Sequence, residues 1–345
     1  MGIIEESLSS ILEGGVKMKG RGKQVYRPLS KNHRATISML ASKTPEVMAK
    51  ITGFSRGANN IAPHILYISR EGNEELESDR GIIYNGKDEV EQAYSKWIDD
   101  LNNFPKPSKK PSREVMHLML SMPAGTDPEK VKNSARIFAK KTFSENHEYL
   151  FSLHTDTPHP HVHLAVKMLG HNQERLNPRK ADIQAWREGF AMELRGQGVR
   201  AVASKRRARG VVKKAVNNTV HHINKGDDTH KKRVANVTAL QMKDAVDELV
   251  LRSKGKTEPV KPWEEAIKAN QTDVHKLYET AISELEKTGK EDDGKLASDL
   301  RKIKSDLPKK ITTQHMENMQ KAQADILGNK PEKVIDKIKD ISLSR

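Results

Sequence analysis

The chain contains no cysteine, few aromatic residues and no apolar run long enough to span a membrane. The absence of cysteine excludes disulfide bonds, thiolate chemistry and cysteine-ligated zinc sites. Aromatic residues make up 4% of the chain and hydrophobic residues 35%, against 31% charged residues, which indicates that part of the chain lacks a large core. Residues 1–20 also lack the apolar core of a signal peptide, so we expect a cytoplasmic protein that does not insert into membranes.

Positive charge is what the sequence has in excess. Its 345 residues include 61 Lys and Arg against 46 Asp and Glu, which gives a formal net charge of +15. The sequence pI is about 9.6. Such an imbalance favours an anionic polymer, above all a nucleic acid, as the partner.

Changes in composition divide the chain into three regions. Residues 1–43 are basic and glycine-rich, which predicts a flexible arm that either contacts nucleic acid or is a plain disordered leader. Residues 44–205 carry strand and helix patterns in alternation and form the predicted catalytic domain. Residues 206–345 are rich in Lys and Glu, with Trp263 and Tyr278 as rare aromatics. We expect this last region to be a helical, charged interaction or translocation region without a sizeable core, the alternative being a solvated linker.

The periodicities within residues 44–205 predict eight elements in a mixed order. They are a strand Glu46–Gly53, a helix Asn60–Arg70, a short strand 82–84, a helix Asp88–Leu101, a strand Val115–Met122, a helix capped by Asp127 and ending at Phe143, a hairpin within Glu148–Leu169, and a helix 182–195. This order predicts an α+β fold, a two-layer or three-layer sandwich with a central, mostly antiparallel sheet flanked by helices.

The most informative segment is the run His154-Thr-Asp-Thr-Pro-His-Pro-His-Val-His163, which holds four imidazoles within ten residues. Apolar residues alternate with the histidines on both sides of the central turn, as in the strands of a half-buried hairpin. An antiparallel hairpin would set His154 nearly opposite His161, with His163 next on the same polar face. Three imidazoles converging in this way predict a site for one divalent metal ion with positions left open for substrate.

Two neighbours of these histidines leave the ligand set open. His159 lies near the tip of the turn and is the weakest candidate. Asp156 is either a ligand or a carboxylate that fixes the tautomer of a ligand imidazole. Three neutral imidazoles accept Mn²⁺, Mg²⁺, Zn²⁺ or Ni²⁺ by geometry, and we expect Mn²⁺ or Mg²⁺.

The first predicted helix offers a nucleophile. Ile61, Ile65 and Ile68 form its apolar stripe, while Tyr67 lies off that stripe on the flank that it shares with His64. A tyrosine that is not used for packing is available to substrate, although on its own such a residue is more often part of an ordinary surface.

Four collinear segments resemble the motifs of conjugative relaxases. The segment Ile65-Leu-Tyr-Ile-Ser-Arg-Glu-Gly72, preceded by Met48–Gly53, is similar to their first motif, and Val115–Gly125 is similar to their second. The histidine run is similar to their third motif, and Leu176–Asp182 with Trp186–Phe190 resembles the segment that follows it. The resemblance covers about residues 46–210 and indicates a mobilisation relaxase of the T-DNA border endonuclease type, within the HUH endonuclease superfamily.

The resemblance implies a mechanism. Tyr67 would attack one phosphodiester of single-stranded DNA at an origin of transfer, forming a 5′-phosphotyrosyl adduct and releasing a 3′-hydroxyl. A divalent ion on His154, His161 and His163 would polarise the phosphate oxygens. Asp156 would orient a ligand imidazole or help to take the tyrosyl proton.

The resemblance also implies DNA contacts and partners. Ser121 would contact the backbone near the nick, and Arg70, Lys50 and Arg179 are candidate phosphate contacts. The expected partners are single-stranded DNA at a transfer origin, accessory relaxosome DNA-binding proteins and a type IV secretion coupling protein. The relaxase would then pilot the strand from a bacterial cytoplasm into a recipient cell. Many relaxases carry a pair of tyrosines, whereas this first motif supplies only Tyr67, which suits a single nick.

Three other functions fit part of the pattern. A rolling-circle replication initiator uses the same metal and nucleophile, but the Ser-Arg-Glu-Gly continuation after Tyr67 and the long basic C-terminal extension favour conjugation. A non-catalytic DNA-binding protein would retain the histidines without nicking. A metal-dependent phosphodiesterase that uses water would leave no protein attached to DNA.

Overall fold

The computed structural model describes residues 11–12, 32–103, 112–206, 208–210, 218–226, 233–256, 262–308 and 314–327. The chain divides into two compact units, one of residues 34–204 and one that combines residues 1–33 with residues 205–345.

The end of the expected N-terminal arm is part of the folded first unit, which corrects its boundary at residue 43. Residues Asn32–Ala41 form helix α1, and Ile37 within it is buried. The helix forms here because Ile37 and its apolar neighbours in the segment Thr36-Ile-Ser-Met-Leu40 can be buried, unlike the basic residues before them. Apart from residues 11–12, the arm before Asn32 lies outside the described residues.

A six-stranded antiparallel sheet forms the centre of the first unit. Its strands are β1 (Met48–Arg56), β2 (Leu76–Ser78), β3 (Ile83–Tyr84), β4 (Arg113–Ser121), β5 (Tyr149–His154) and β6 (His161–Lys167). They lie in the order β1-β4-β6-β5-β2-β3, and each neighbouring pair is antiparallel. The predicted α+β fold with a mostly antiparallel sheet is therefore confirmed.

Helices cover both faces of this sheet. Helices α2 (Ile61–Ile68) and α3 (Lys87–Asn103) pack on one face, and α4 (Pro128–Phe143) and α5 (Lys180–Gly196) pack on the other. Asp127 caps α4 as predicted, since its carboxylate accepts a hydrogen bond of 3.0 Å from the backbone N–H of Glu129.

Strand alternation decides which face the histidines occupy. In β6, Val162, Leu164 and Val166 belong to the core beneath α4 and α5. Because successive side chains of a strand point to opposite faces, His161 and His163 lie on the face that carries α2 and α3.

Helix α2 ends two residues earlier than predicted, at Ile68 rather than Arg70. Arg70 and Glu71 have φ of 49° and 59°, so the chain leaves the right-handed helix directly after Ser69. Gly72 continues the left-handed turn with φ of 86° and lies against the backbone of Gly86. This contact with the start of α3 requires a glycine and explains why the sharp turn occurs here.

The second unit is helical as expected, but it has a core that we did not predict. Its described helices are α6 (Asn218–Lys225), α7 (Asn236–Ser253), α8 (Pro262–Lys287), α9 (Glu291–Asp306) and α10 (Gln314–Leu327). Aliphatic residues of α8 and α9 are buried around Tyr278, whose hydroxyl donates a hydrogen bond of 2.7 Å to the carbonyl of Ala208. Aliphatic residues supply most of this core, which is why the scarcity of aromatics concealed it. None of the described helices is long and apolar enough to cross a membrane.

Replacing Gly72 with alanine is expected to destabilise the first unit more than the same change at Gly81. Both residues have positive φ, which costs an alanine about 1–2 kcal/mol. A Cβ at Gly72 would also lie 2.5 Å from the carbonyl carbon of Gly86, whereas a Cβ at Gly81 meets nothing within 4 Å. Overpacking of this kind adds about 1–3 kcal/mol. Urea unfolding of Gly72→Ala and Gly81→Ala measures the difference, and equal losses would contradict the close approach.

Candidate active site

Three imidazoles converge on the face of the sheet that carries α2. His154 pairs with His161 across the β5–β6 hairpin, as the strand pattern predicted. The ring centroids of His154 and His163 are 4.6 Å apart, those of His161 and His163 are 5.1 Å apart, and those of His154 and His161 are 5.2 Å apart. One nitrogen of each ring lies within 4.8 Å of those of the other two.

Backbone carbonyls fix the tautomers of two of these rings. His154 Nε2 donates a hydrogen bond of 2.7 Å to the carbonyl of Ile68, and His161 Nδ1 donates one of 2.9 Å to the carbonyl of His159. A neutral imidazole that donates through one nitrogen presents a lone pair on the other. His154 Nδ1 is buried and finds no hydrogen-bond partner among the described residues. An orphaned acceptor beside two further imidazoles fits a nitrogen ligand set for a metal ion.

Burial keeps His154 and His163 neutral. The sequence suggested a polar face, but His154 is only 1% exposed and His163 only 8% exposed, because α2 lies over them. Burial, followed by the charges of His154, His161 and Arg70, lowers the pKa of His163 to about 3. Burial is also the main cause of the lowered pKa of His154. Neutral rings are the form that binds metal, so the site is ready for an ion at neutral pH.

The ring of Tyr67 lies beside the imidazoles and remains open to solvent. Its centroid is 5.7 Å from that of His163 and 6.3 Å from that of His154, with both pairs edge-to-face. The residue is 51% exposed although its neighbours in α2, Ile65 and Ile68, are fully buried. The two groups that the sequence predicted separately, a free phenol and a histidine cluster, therefore form one site.

Asp156 occupies a different position from the one expected. Its carboxylate forms an ion pair with Arg70, whose guanidinium carbon lies 5.1 Å from the centroid of the Tyr67 ring. The role of fixing a ligand tautomer belongs to the carbonyls of Ile68 and His159 instead. His159 thus contributes its backbone carbonyl to the site, a role that its side chain does not indicate.

Of the candidate DNA contacts, Ser121 and Lys50 lie on the face of the sheet that carries the histidines, whereas Arg179 does not. Ser121 pairs with His161 across β4 and β6, and Lys50 pairs with Met119, which in turn pairs with His163. Both candidates therefore share the face of the imidazoles. Arg179 directly precedes α5, which packs on the opposite face, and its backbone N–H donates a 2.6 Å hydrogen bond to Asp182. Its predicted role as a phosphate contact gains no support from this placement.

Sequence reasoning missed two further histidines at the site. His64 of α2 and His117 of β4 stack with their ring centroids 3.3 Å apart and an angle of 10° between the rings. Burial lowers the pKa of His64 to about 3, helped by His117 and His163, and burial lowers the pKa of His117 to about 4. The sequence did contain a signal for His117. It is a polar residue in a mostly apolar strand, and it lies four residues before Ser121, so both side chains point to the same face of the sheet.

Comparisons with known proteins bear on the predicted resemblance. Residues 67–194 match the family model described as a relaxase, MobA/VirD2-like, nuclease domain. The predicted resemblance to relaxases of the T-DNA border endonuclease type is therefore confirmed for this region.

Two curated relatives are both named T-DNA border endonuclease VirD2. The protein from Rhizobium radiobacter is 24% identical over 184 residues, 49% of this chain and 43% of the relative. The protein from Agrobacterium fabrum is 26% identical over 179 residues, 48% of this chain and 40% of the relative. The chain thus matches less than half the length of these relatives.

A solved structure described as "Molecular Basis of Vancomycin Resistance Transfer in Staphylococcus aureus" is 17% identical to this chain. It covers 47% of this chain and 99% of its own, with a TM-score of 0.31.

Lowering the pH is expected to destabilise the metal-free protein before the carboxylates titrate. In the unfolded chain a histidine titrates near pH 6.5, whereas the pKa values of His64, His117 and His163 in the folded state are about 3, 4 and 3. Below pH 6.5 the unfolded state therefore binds more protons, and the free energy of unfolding falls by up to about 1.4 kcal/mol per pH unit for each group. Above pH 6.5 this dependence ends.

Urea unfolding in the presence of a chelator, at pH 7.5, 6.5, 5.8 and 5.0, measures this dependence. The variant His117→Phe removes one titrating group and should show a shallower slope below pH 6.5. A free energy of unfolding that stays constant between pH 6.5 and 5.0 would show that these imidazoles are not held neutral by burial.

Proposed function

We propose that the first unit nicks one strand of DNA at a transfer origin through covalent attachment to Tyr67. The observation that carries this proposal is the position of an exposed phenol, 51% accessible, beside buried neutral imidazoles. A phenol that serves only packing would lie on the apolar stripe of α2, and a metal site that serves only structure would not leave a solvent-accessible nucleophile at its edge.

The proposed step is a transesterification. The phenol oxygen of Tyr67 forms a bond to the phosphorus of one phosphodiester, and the bond from that phosphorus to the 3′ oxygen breaks. The electron pair of the broken bond stays on the 3′ oxygen, which takes up a proton as the phenol loses one. One phosphodiester is exchanged for another, so the products are a 5′-phosphotyrosyl adduct and a 3′-hydroxyl, and a 3′-hydroxyl can reverse the step.

His154, His161 and His163 would hold the divalent ion that supports this step. The chemistry that such an ion supplies when bound is Lewis-acid polarisation of the phosphate oxygens. Of the two expected ions, the donor set favours Mn²⁺ over Mg²⁺, because Mg²⁺ prefers oxygen ligands.

Arg70 and Asp156 supply the charges around the phenol. The guanidinium of Arg70 lies against the Tyr67 ring and is placed to contact the phosphate that the phenol attacks. Asp156 holds this guanidinium through an ion pair, and the same carboxylate is the base that we propose for the phenolic proton.

The DNA strand would approach over the histidine face at the β1 side of the sheet. Lys50 is exposed on β1, at the edge of the sheet, and offers a charge for a phosphate. Met48 lies two residues before it and pairs with Ser121, which pairs with His161. Met48 is 50% exposed, so it presents an apolar surface to a base at the point where Ser121 would contact the backbone.

The wider role follows the curated relatives, which are named T-DNA border endonuclease VirD2. We propose that the chain acts in a bacterial cytoplasm and pilots its bound strand into a recipient cell. Accessory relaxosome proteins and a type IV secretion coupling protein would be its partners. The net charge of +15 supports an association with DNA. A rolling-circle replication initiator, with the same nick but a different destination, is the second candidate.

Substituting Tyr67 with phenylalanine is expected to abolish the covalent adduct while DNA and Mn²⁺ binding change little, because only the hydroxyl is lost. The wild-type protein and Tyr67→Phe are incubated with Mn²⁺ and short labelled oligonucleotides that carry candidate transfer origins. Denaturing electrophoresis then detects a band of protein joined to DNA. Tyr84→Phe, a change in a half-buried tyrosine on β3, is the matched control and should retain the adduct.

The same experiment separates the other functions. Cleavage without attached protein would indicate a phosphodiesterase that uses water, and binding without cleavage by the wild-type protein would indicate a non-catalytic DNA-binding protein. An adduct in both Tyr67→Phe and wild type would place the nucleophile on another residue. Mobilisation of a plasmid into a recipient cell distinguishes a relaxase from a replication initiator.

Replacing His161 with alanine is expected to weaken Mn²⁺ binding by more than about 10-fold, because even the loss of a hydrogen-bond partner of a ligand costs about 10- to 100-fold in metal affinity. The matched control is His159→Ala, which keeps the backbone carbonyl that accepts the hydrogen bond from His161. Calorimetric titration of each metal-free variant with Mn²⁺ gives the affinities. Equal losses in both variants would mean that the His159 imidazole belongs to the ligand set, and no loss in His161→Ala would remove His161 from it.

A further inference from the structure

The stacked pair of His64 and His117 lies outside the group of three imidazoles that can share an ion. His64 is three residues before Tyr67 on α2, so the two side chains lie on the same flank of the helix. Their ring centroids are 6.3 Å apart, with an angle of 23° between the rings. The pair is therefore adjacent to the proposed nucleophile without being a candidate for the metal site.

A chain of hydrogen bonds connects this pair to the beginning of α2. Ser55 of β1 donates through its hydroxyl to the carbonyl of Asn60, the residue directly before the helix, at 2.8 Å. Because the hydroxyl proton is used there, the 2.8 Å contact between Ser55 and His117 Nε2 requires His117 to be the donor. Strands β1 and β4 thus hold the first turn of α2 through Ser55 and His117.

The other end of α2 is held by a metal-site residue. His154 donates to the carbonyl of Ile68, the residue directly after Tyr67. A hydrogen bond to a carbonyl at one end of a helix restrains sliding along the axis. The buried stripe of Ile61, Ile65 and Ile68 limits rotation about the axis, and a further restraint on the flank that carries Tyr67 would fix it more closely. The stack of His64 on His117 provides that restraint, because His64 projects from the flank that also carries Tyr67.

The rings of this pair are suited to stacking rather than to proton transfer. Burial lowers the pKa of both, so two neutral imidazoles face each other without charge repulsion near pH 7. Their nearly parallel rings are in direct face-to-face contact, so that each ring limits the movement of the other.

We propose that His117 is a positioning residue that, by stacking on His64, fixes the rotation of α2 and so holds the Tyr67 phenol over the metal-binding imidazoles. This inference rests on the proposed function of Tyr67 as the nucleophile. A positioning role predicts that the loss of the stack slows attack by Tyr67 without loosening DNA or metal.

Alanine at either position removes the stack, while phenylalanine at His64 keeps an aromatic ring against His117. We expect His117→Ala and His64→Ala to slow single-turnover adduct formation by roughly 10- to 100-fold at saturating oligonucleotide and Mn²⁺, since small displacements of a reacting group have effects of this size. His64→Phe should stay within about threefold of wild type, and the double alanine variant should be no slower than His117→Ala, because the stack is already lost in that single variant. His171→Ala, a change in an exposed histidine after β6, is the matched control.

Three measurements distinguish positioning from a merely structural role. Fluorescence anisotropy with a labelled oligonucleotide and calorimetry with Mn²⁺ should give wild-type affinities for the alanine variants. The ¹⁹F NMR line of 3-fluorotyrosine at position 67 should shift or broaden in His117→Ala and in His64→Ala, and it should return towards wild type in His64→Phe.

Alanine variants that form the adduct at the wild-type rate would overturn the proposal, as would a His64→Phe variant that is as slow as His64→Ala. A loss of DNA and metal affinity in step with the rate would show a structural role only. Should the wild-type protein bind both ligands and form no adduct, the function proposed for Tyr67 fails. The ¹⁹F line still tests the positioning in that case, and an unchanged line in both alanine variants would overturn it.

Discussion

The hydrogen bond from His154 to the carbonyl of Ile68 joins the two parts of the candidate site. One partner is a metal-site imidazole on the sheet, and the other is the backbone of the residue next to Tyr67. Because His154 is buried, this bond is shielded from water, and its loss would leave a buried donor unpaired at a cost of about 1–3 kcal/mol. The same bond selects the tautomer that presents Nδ1 towards the other imidazoles. The position of Tyr67 and the orientation of the His154 ring in the candidate metal site therefore both depend on this interaction.

The left-handed turn that follows α2 determines where the positive charge of Arg70 lies. Had the helix continued through Arg70, the position of the Arg70 side chain would have followed the regular helical spacing of about 100° per residue around the axis. Instead, the positive φ of Arg70 and Glu71 ends the helix within a few residues, and the guanidinium of Arg70 lies over the Tyr67 ring and beside Asp156. Non-glycine residues in this conformation are strained, and the close contact of Gly72 with Gly86 is what holds them there. The packing of Gly72 against Gly86 thus helps to place the Arg70 guanidinium beside the phenol.

Features that repeat along the chain could be predicted from the sequence, and features that depend on a single contact could not. The alternation of Val162 and Leu164 with His161 and His163 determined the face, the register and the convergence of the imidazoles. The short strand β2 was not predicted, because Glu77 is buried only through its ion pair with Arg136, a residue of distant α4. The end of α2 was misplaced for the same reason, since the contact of Gly72 with Gly86 leaves no periodic signal. One of the roles that the sequence predicts for Asp156 is to fix an imidazole tautomer, as carboxylates often do. For His154 and His161, backbone carbonyls accept the hydrogen bond instead, and sequence patterns carry no information on carbonyl direction.

The distribution of burial around the site also constrains how a DNA strand could enter it. His154 and His163 are closed off by α2, and the sheet beyond them is covered by the apolar core of α2 and α3 around Leu150 and Ala165. A bulky polyanion cannot approach through that core, because it would have to displace fully buried aliphatic residues. The remaining approach runs over β1 and β4, where Met48 and Lys50 are exposed beside Ser121 and lead to His161 and the accessible edge of Tyr67. A phosphate that arrived by this route would meet the exposed phenol of Tyr67 before the deeper imidazoles, which supports the proposed attack by tyrosine rather than by water.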